Sequence, residues 1–181
     1  MTEPAPDTIL IVDDDPAFLD LLRSYVQSFH LPFAEAHDGQ EALGKLRQGH
    51  FALVISDLKM PGINGLDLLR EVRQHFPETG VIIVTGYGDA HSYTEVIQAG
   101  AIDFLAKPFF RDELEAKINR ALREQRLIND LNTLVKTLER QLAEKNATID
   151  EVRAQLQEAA EKVKQLQART VLTTYGPRRI R

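Results

Sequence analysis

Residues 8–16, TILIVDDDP, run from an apolar stretch straight into three consecutive carboxylates. The apolar part reads as a buried strand, so like charges gather where that strand ends. Crowded carboxylates raise one another's pKa and repel unless a cation or a shared proton intervenes. Two readings follow from these residues. Either the acids form a divalent-metal pocket, or they make a solvated turn in which Asp15 caps the next helix. The neighbouring sequence has to choose between them.

Working outward, the same unit recurs. The runs TILIV (8–12), PFAEA (32–36), ALVIS (52–56), VIIVT (81–85) and IDFLA (102–106) read as five strands. Three of them are almost wholly apolar, as parallel strands covered on both faces should be. Helical patterns fill the intervals at 15–29, 39–48, 64–75, 89–99 and from about 111. Asp38 with Glu41 forms a cap and capping-box pair for the second helix. Five β-α units in this length predict an α/β domain with a doubly wound five-stranded parallel sheet. In such folds ligands sit beyond the carboxyl ends of the central strands.

Those ends carry the chemistry. The first strand ends in Asp13-Asp14-Asp15, the third in Ser56-Asp57, the fourth in Thr85-Gly86 and the fifth in Ala106-Lys107-Pro108. Acids, a hydroxyl and a lysine would converge on one edge of the sheet. A carboxylate such as Asp57 can act as nucleophile toward a phosphoryl donor, provided the transferring charge is neutralised. Mg²⁺ suits that role, because it is satisfied by a few carboxylates, waters and a phosphoryl oxygen. Asp13, Asp14, Asp57 and the backbone carbonyl of Lys59 are the expected protein ligands. Lys107 would meet one phosphoryl oxygen, and the Thr85 hydroxyl another. Help in the transition state would be positioning and electrostatics. A metal between the acids explains why they tolerate each other.

The pieces VDDDP, SDLKMPGINGLDLL, VTGYGD and DFLAKPF occur in the order and spacing of a two-component response regulator receiver domain, which residues 8–125 resemble. The resemblance implies a CheY-like, flavodoxin-like sheet of order 2-1-3-4-5. It implies that Asp57 is the phosphoacceptor for a sensor histidine kinase, with Asp13 and Asp14 as the metal acids for Mg²⁺. It makes Thr85 the switch hydroxyl and Lys107 the motif lysine, followed by a bond to Pro108 that in the family is typically cis. Phe104 falls at the switch-aromatic position, where the ring turns inward as the threonine moves toward the phosphate. Lys59 and Tyr87 match positions that tune acyl-phosphate lifetime. Such a domain is a phosphoacceptor switch with slow autodephosphorylation, not an enzyme of turnover. Met60-Pro61-Gly62 shapes the loop. The five histidines share no metal-ligand spacing and read as surface residues.

The second half differs in kind. From Phe109 to Tyr175 there is neither Gly nor Pro. From Ile128, steps of three and four reach Leu131, Val135, Leu138, Leu142, Lys145, Ile149, Val152, Leu156, Ala159, Val163 and Leu166. Of these 12 positions 11 are apolar, a heptad seam that marks a coiled coil. A helix over about 112–170 would extend about 90 Å at 1.5 Å per residue. The Ile and Val content of the a positions favours a parallel homodimer through 128–166. Lys145 at a d position would cost stability but could fix register. Leu127 and Leu134, at g, widen the stripe near the receiver. The expected organisation is a disordered 1–7, a receiver over 8–125, a coiled coil over 126–170 continuous with the last receiver helix, and a basic tail over 171–181. In that tail, RTVLTTYGPRRIR (169–181), β-branched residues resist helix and Gly176-Pro177 ends it.

Composition sets the remaining bounds. Residues 1–110 carry 7 Lys and Arg against 16 Asp and Glu, whereas 111–181 carry 15 against 11. An acidic head and a mildly basic tail suggest two regions with different jobs. The absence of cysteine excludes disulfides and thiolate metal sites. A polar, acidic start and no apolar run near the roughly 18 residues of a membrane span make a cytoplasmic protein the expectation. Four arginines in the tail are too few to predict more than salt-sensitive association with nucleic acid. The stretch around VTGYGDA and AGAIDFLAKPF resembles receivers of ATPase-type transcription activators, but no Walker GxxxxGK[ST] occurs. Output is thus expected through an unknown downstream protein partner, either by the coil itself or by a stalk whose effector lies elsewhere. A Mg²⁺-dependent aspartyl phosphohydrolase is the competing reading. Haloacid-dehalogenase-type enzymes typically place a second acid two residues after the nucleophile, and here that residue is Lys59.

Overall fold

The computed structural model describes residues 7–86 and 90–174. Five parallel strands, β1 (Ile9–Val12), β2 (Phe33–Ala36), β3 (Leu53–Asp57), β4 (Gly80–Thr85) and β5 (Asp103–Ala106), form one sheet of order β2-β1-β3-β4-β5. They alternate with α1 (Pro16–Ser28), α2 (Gly39–Gln48), α3 (Gly65–His75), α4 (Ala90–Gln98) and α5 (Arg111–Thr174). This is the expected doubly wound, flavodoxin-like arrangement, with strand bounds within a residue of those read from the sequence.

The sheet is covered on both faces, which is why its strands are apolar throughout. Leu10, Val12, Val54, Val81 and Ile83 pack with Leu43, Leu46, Leu68, Leu69, Val72 and Val96 of α2, α3 and α4. Their alternating neighbours Ile9, Ile11, Leu53, Ile55, Ile82 and Val84 pack with Leu19, Leu22 and Val26 of α1 and Leu114, Ile118 and Leu122 of α5. Period-two alternation along each strand thus feeds two separate cores.

Helix starts follow local chemistry. The Asp15 carboxylate accepts from the Ala17 amide at 2.9 Å, so that residue is a cap as expected. Asp38 accepts from the Glu41 amide at 2.7 Å, and Glu41 reaches back to the His37 amide at 2.9 Å, one residue earlier than an ideal capping box. Asn64 caps α3 through the Asp67 amide. Gly65, the first residue of α3, lies so close to β3 that a Cβ there would stand 2.1 Å from the Asp57 carbonyl oxygen. Only glycine fits, and this contact draws the start of α3 against the residue that ends β3.

Helix α5 begins at Arg111, as expected, and continues to Thr174, four residues past the 170 bound read from the sequence. β-Branched Thr170 and Val171 do not stop it, because extending an established helix adds one hydrogen bond per residue ordered. The chain divides into two units after Asp130. In the second, Leu131, Val135, Leu138, Leu142, Ile149, Val152, Leu156, Val163 and Leu166 are all about half exposed or more. The apolar seam is therefore an open stripe along the helix. Of residues 1–7, expected to be disordered, 1–6 lie outside the described residues, as does the Gly176-Pro177 end of the basic tail. Among the described residues no helix is long and apolar enough to cross a membrane.

Candidate functional site

Strand register builds the site. Val12 pairs with Ser56, Asp57 with Val84, and Thr85 with Ala106. Asp13, Asp57, Thr85 and Lys107 therefore finish their strands along one edge of the sheet, as the parallel topology predicts. Alternation aims Asp57 to the same side as Leu53 and Ile55, toward α1 and α5.

Lys107 closes the arrangement. Its Nζ donates to Asp13 Oδ2 at 2.8 Å and to Asp57 Oδ1 at 2.6 Å. The Asp13 side chain is 2% exposed and that of Asp57 10%, while Lys107 keeps 25%. The second oxygen of Asp57, Oδ2, accepts from the Lys59 amide at 2.6 Å. Oδ1 of Asp13 accepts from the Asp15 amide at 2.9 Å. Burial pushes the Asp13 carboxyl above its ordinary range, against the lowering pull of its hydrogen bonds to Lys107 and Asp15. Burial also disfavours the Lys107 ammonium, yet its bonds to Asp13 and Asp57 outweigh this and raise its pKa. Lys107 therefore stays charged, and one ammonium is shared between two carboxylates.

The rim is held by the backbone. The Lys107 amide donates to the Thr85 carbonyl at 2.6 Å, tying the ends of β4 and β5 together. The Lys107–Pro108 peptide is cis, the form expected from the motif. Gly62 takes a positive φ of 74° in the loop after β3, where Met60-Pro61-Gly62 was expected to act by shape.

The expected site residues distribute unevenly. Asp13, Asp57 and Lys107 are in direct contact, and Lys59 joins them through its backbone. Asp14 is exposed at the end of β1, outside that hydrogen-bonded trio. Thr85 sits half-buried on the same edge. Phe104 is partly buried against the α2–α4 core, its ring centroid 4.3 Å from that of Tyr93. Tyr87 lies outside the described residues. The four histidines with described side chains, His30, His37, His50 and His75, are exposed.

Asp13 and Asp57 supply a donor set that fits Mg²⁺. Among the described residues no group of three or more His, Cys, Asp or Glu is placed to hold a metal. Asp13 and Asp57, however, converge tightly enough to share one cation, and Mg²⁺ commonly takes one or two carboxylates with waters and a phosphoryl oxygen.

Sequence reasoning missed one neighbour of the site. Phe18, in the first turn of α1, lies beneath Lys107, with Nζ 3.6 Å from its ring centroid. Its place near the acidic triplet was the available signal. Asp103 and Lys117, 3.0 Å apart beside Phe104, were likewise not foreseen.

The family model "Response regulator receiver domain" matches residues 9–119. The C4-dicarboxylate transport transcriptional regulatory protein DctD of Pseudomonas aeruginosa is 35% identical over 130 residues, covering 72% of this chain and 28% of that protein. The transcriptional regulatory protein FixJ of Bradyrhizobium diazoefficiens is 36% identical over 116 residues, covering 64% of this chain and 57% of that protein. This chain thus spans between about a quarter and somewhat over half of these curated relatives. Among solved structures, a response regulator receiver domain protein from Clostridium thermocellum superposes with a TM-score of 0.64 at 30% identity, covering 67% of this chain and 98% of that one. The similarity resides in the receiver.

Proposed function

Because the chain belongs to the response regulator receiver domain family, we propose that Asp57 is the residue that accepts the phosphoryl group, from a sensor histidine kinase. The observation that carries this is the placement of Asp57: nearly buried at the end of central strand β3, with Lys107 on one carboxylate oxygen and the Lys59 amide on the other. One oxygen of Asp57 attacks phosphorus while the bond from phosphorus to the donor breaks, and the electron pair leaves with the donor. Lys107 then follows the charge onto a phosphoryl oxygen, keeping Asp13 as its anchor. The Lys59 amide keeps the carboxylate plane fixed during attack. Thr85 is the hydroxyl that meets a second phosphoryl oxygen, and Phe104 the aromatic that responds to it. Lys59 and Tyr87 tune the lifetime of the product.

Receiver domains generally bind Mg²⁺ at this position. Here Asp13, Asp14 and Asp57, with the Lys59 backbone carbonyl, are the residues that would hold it. When bound, the ion neutralises the acids and the incoming phosphoryl charge.

The open seam on α5 supports a parallel homodimer through 128–166 as the element that carries the signal onward to a protein partner. Receiver over 8–125, coil over 126–170 and tail over 171–181 is the organisation this reading uses, and the cysteine-free composition fits a cytoplasmic setting. The phosphohydrolase alternative has no observation in its favour, since Lys59 stands where a second acid would be needed.

The test is site mapping. The chain is loaded with acetyl phosphate and Mg²⁺, then reduced with borohydride, which converts an acyl-phosphorylated aspartate to homoserine. Homoserine at position 57 supports the proposal, and homoserine elsewhere or nowhere refutes it.

A further inference from the structure

The ammonium of Lys107 has three N–H donors, and two of them are used by Asp13 and Asp57. The remaining side of the cation faces a ring. Nζ stands 3.6 Å from the centroid of Phe18, well inside the range over which an aromatic face attracts a cation. The ring is itself braced: Phe109 meets it edge-on at 5.7 Å and 88°, the favoured T-shaped arrangement. Phe109 is buried and follows Lys107 by two residues, so the loop that carries the lysine also carries the brace.

We infer that Phe18 is a positioning residue for phosphoryl transfer, its ring face holding the Lys107 ammonium over the Asp13–Asp57 pair. The inference rests on the reading of Asp57 as phosphoacceptor and adds a residue to it. A π face suits the task better than a third acceptor oxygen would. Attraction to the face is broad in direction, so Lys107 can exchange a carboxylate oxygen for a phosphoryl oxygen without losing its third contact. A third carboxylate would hold the lysine back, and a water in the ring's place would let it turn toward solvent. The apolar ring also excludes water from one side of a side chain that is only one-quarter exposed.

The experiment uses the full chain in two arms. In the first, NMR reads the ring-current shift of the Lys107 side-chain protons in wild type, Phe18→Leu and Phe18→Tyr. An upfield shift in wild type and Phe18→Tyr that disappears in Phe18→Leu is expected; its absence from wild type overturns the inference. In the second, Phe18 is replaced by mono-, di- and trifluorinated phenylalanine, which weakens the π face stepwise with little change in shape. The rate of phosphoryl uptake from acetyl phosphate with Mg²⁺ should fall stepwise along the series and about tenfold in Phe18→Leu, with Phe18→Tyr near wild type. Wild-type uptake with a flat fluorination series overturns the positioning role alone. Absence of uptake in wild type overturns the phosphoacceptor reading, and the positioning role falls with it.

Discussion

Lys107 Nζ lies 2.6 Å from Asp57 Oδ1, although 50 residues separate the two in the chain. The same ammonium reaches Asp13 across 94 residues. One cation thus joins the ends of β1, β3 and β5, and removing it leaves two crowded, nearly buried acids. Lys107→Ala is expected to lower stability by about 2 kcal/mol, below the 3–5 range of fully buried pairs because the lysine is partly exposed. Thermal melts without divalent cation check this. Phosphoryl uptake should fall by about a hundredfold in the same variant.

Added Mg²⁺ should stabilise the wild type by about 2.7 kcal/mol at a hundred times its dissociation constant, and Asp57→Asn should lose most of that gain. The pH dependence follows from Asp13. Its carboxyl titrates above the ordinary range because burial disfavours the charge. The folded state therefore holds this proton more firmly than the unfolded chain, and apo stability declines as pH rises through the folded pKa. Mg²⁺ needs the ionised form, so its stabilising effect should grow over that same rise. Melts with and without Mg²⁺, taken upward in pH from below the ordinary carboxylate range, read both trends.

Away from the site, Arg23 grips Glu35 with Nε–Oε1 at 2.5 Å and Nη2–Oε2 at 2.6 Å, fastening α1 to edge strand β2. The Arg23 hydrogen bonds hold the Glu35 carboxyl below its usual range, outweighing its desolvation. A depressed folded pKa gives stability that is present above the unfolded value of about 4.3 and lost as pH falls through the folded one. Glu35→Gln should therefore be less stable than wild type near neutrality. The difference should shrink in acid, as denaturant titrations at both pH values would record.

The seam of α5 leaves Leu138 about half exposed and Leu142 63% exposed. Paired in a coil, each leucine would gain about 2 kcal/mol from burial. Leu138→Asp should convert dimer to monomer in sedimentation and reduce far-UV helicity, because a long unpaired helix is marginal in water. Phosphoryl uptake by the receiver should persist.

Much of this molecule was legible in its sequence, for identifiable reasons. Apolar runs marked all five strands because both sheet faces are covered. Asp15 and Asp38 were readable as caps because capping is local. Asp13, Asp57 and Lys107 were readable as neighbours because parallel topology brings strand ends together. What escaped depends on contacts between distant elements. Gln125 is buried, its Nε2 donating to the Pro77 carbonyl at 3.3 Å and to Asn129 Oδ1 at 3.1 Å. Its spacing from Leu114, Ile118 and Ala121 continues the inward stripe of α5, but a polar side chain there gave no hydrophobic signal. The Phe18 ring beneath Lys107 was hidden similarly, since an aromatic on α1 reads as core until the lysine's position is known. The split between buried Asp13 and exposed Asp14 was also out of reach, since adjacent residues at a strand end face different ways.

Everything proposed for this site depends on Asp57 taking up a phosphoryl group. Native mass spectrometry of the chain with acetyl phosphate and Mg²⁺, beside Asp57→Asn, tests it most directly and counts subunits in the same spectrum. One phosphoryl group per wild-type chain, carried on a dimer, and none on the variant is the expected result. Equal uptake by both proteins, or uptake by neither, would contradict it.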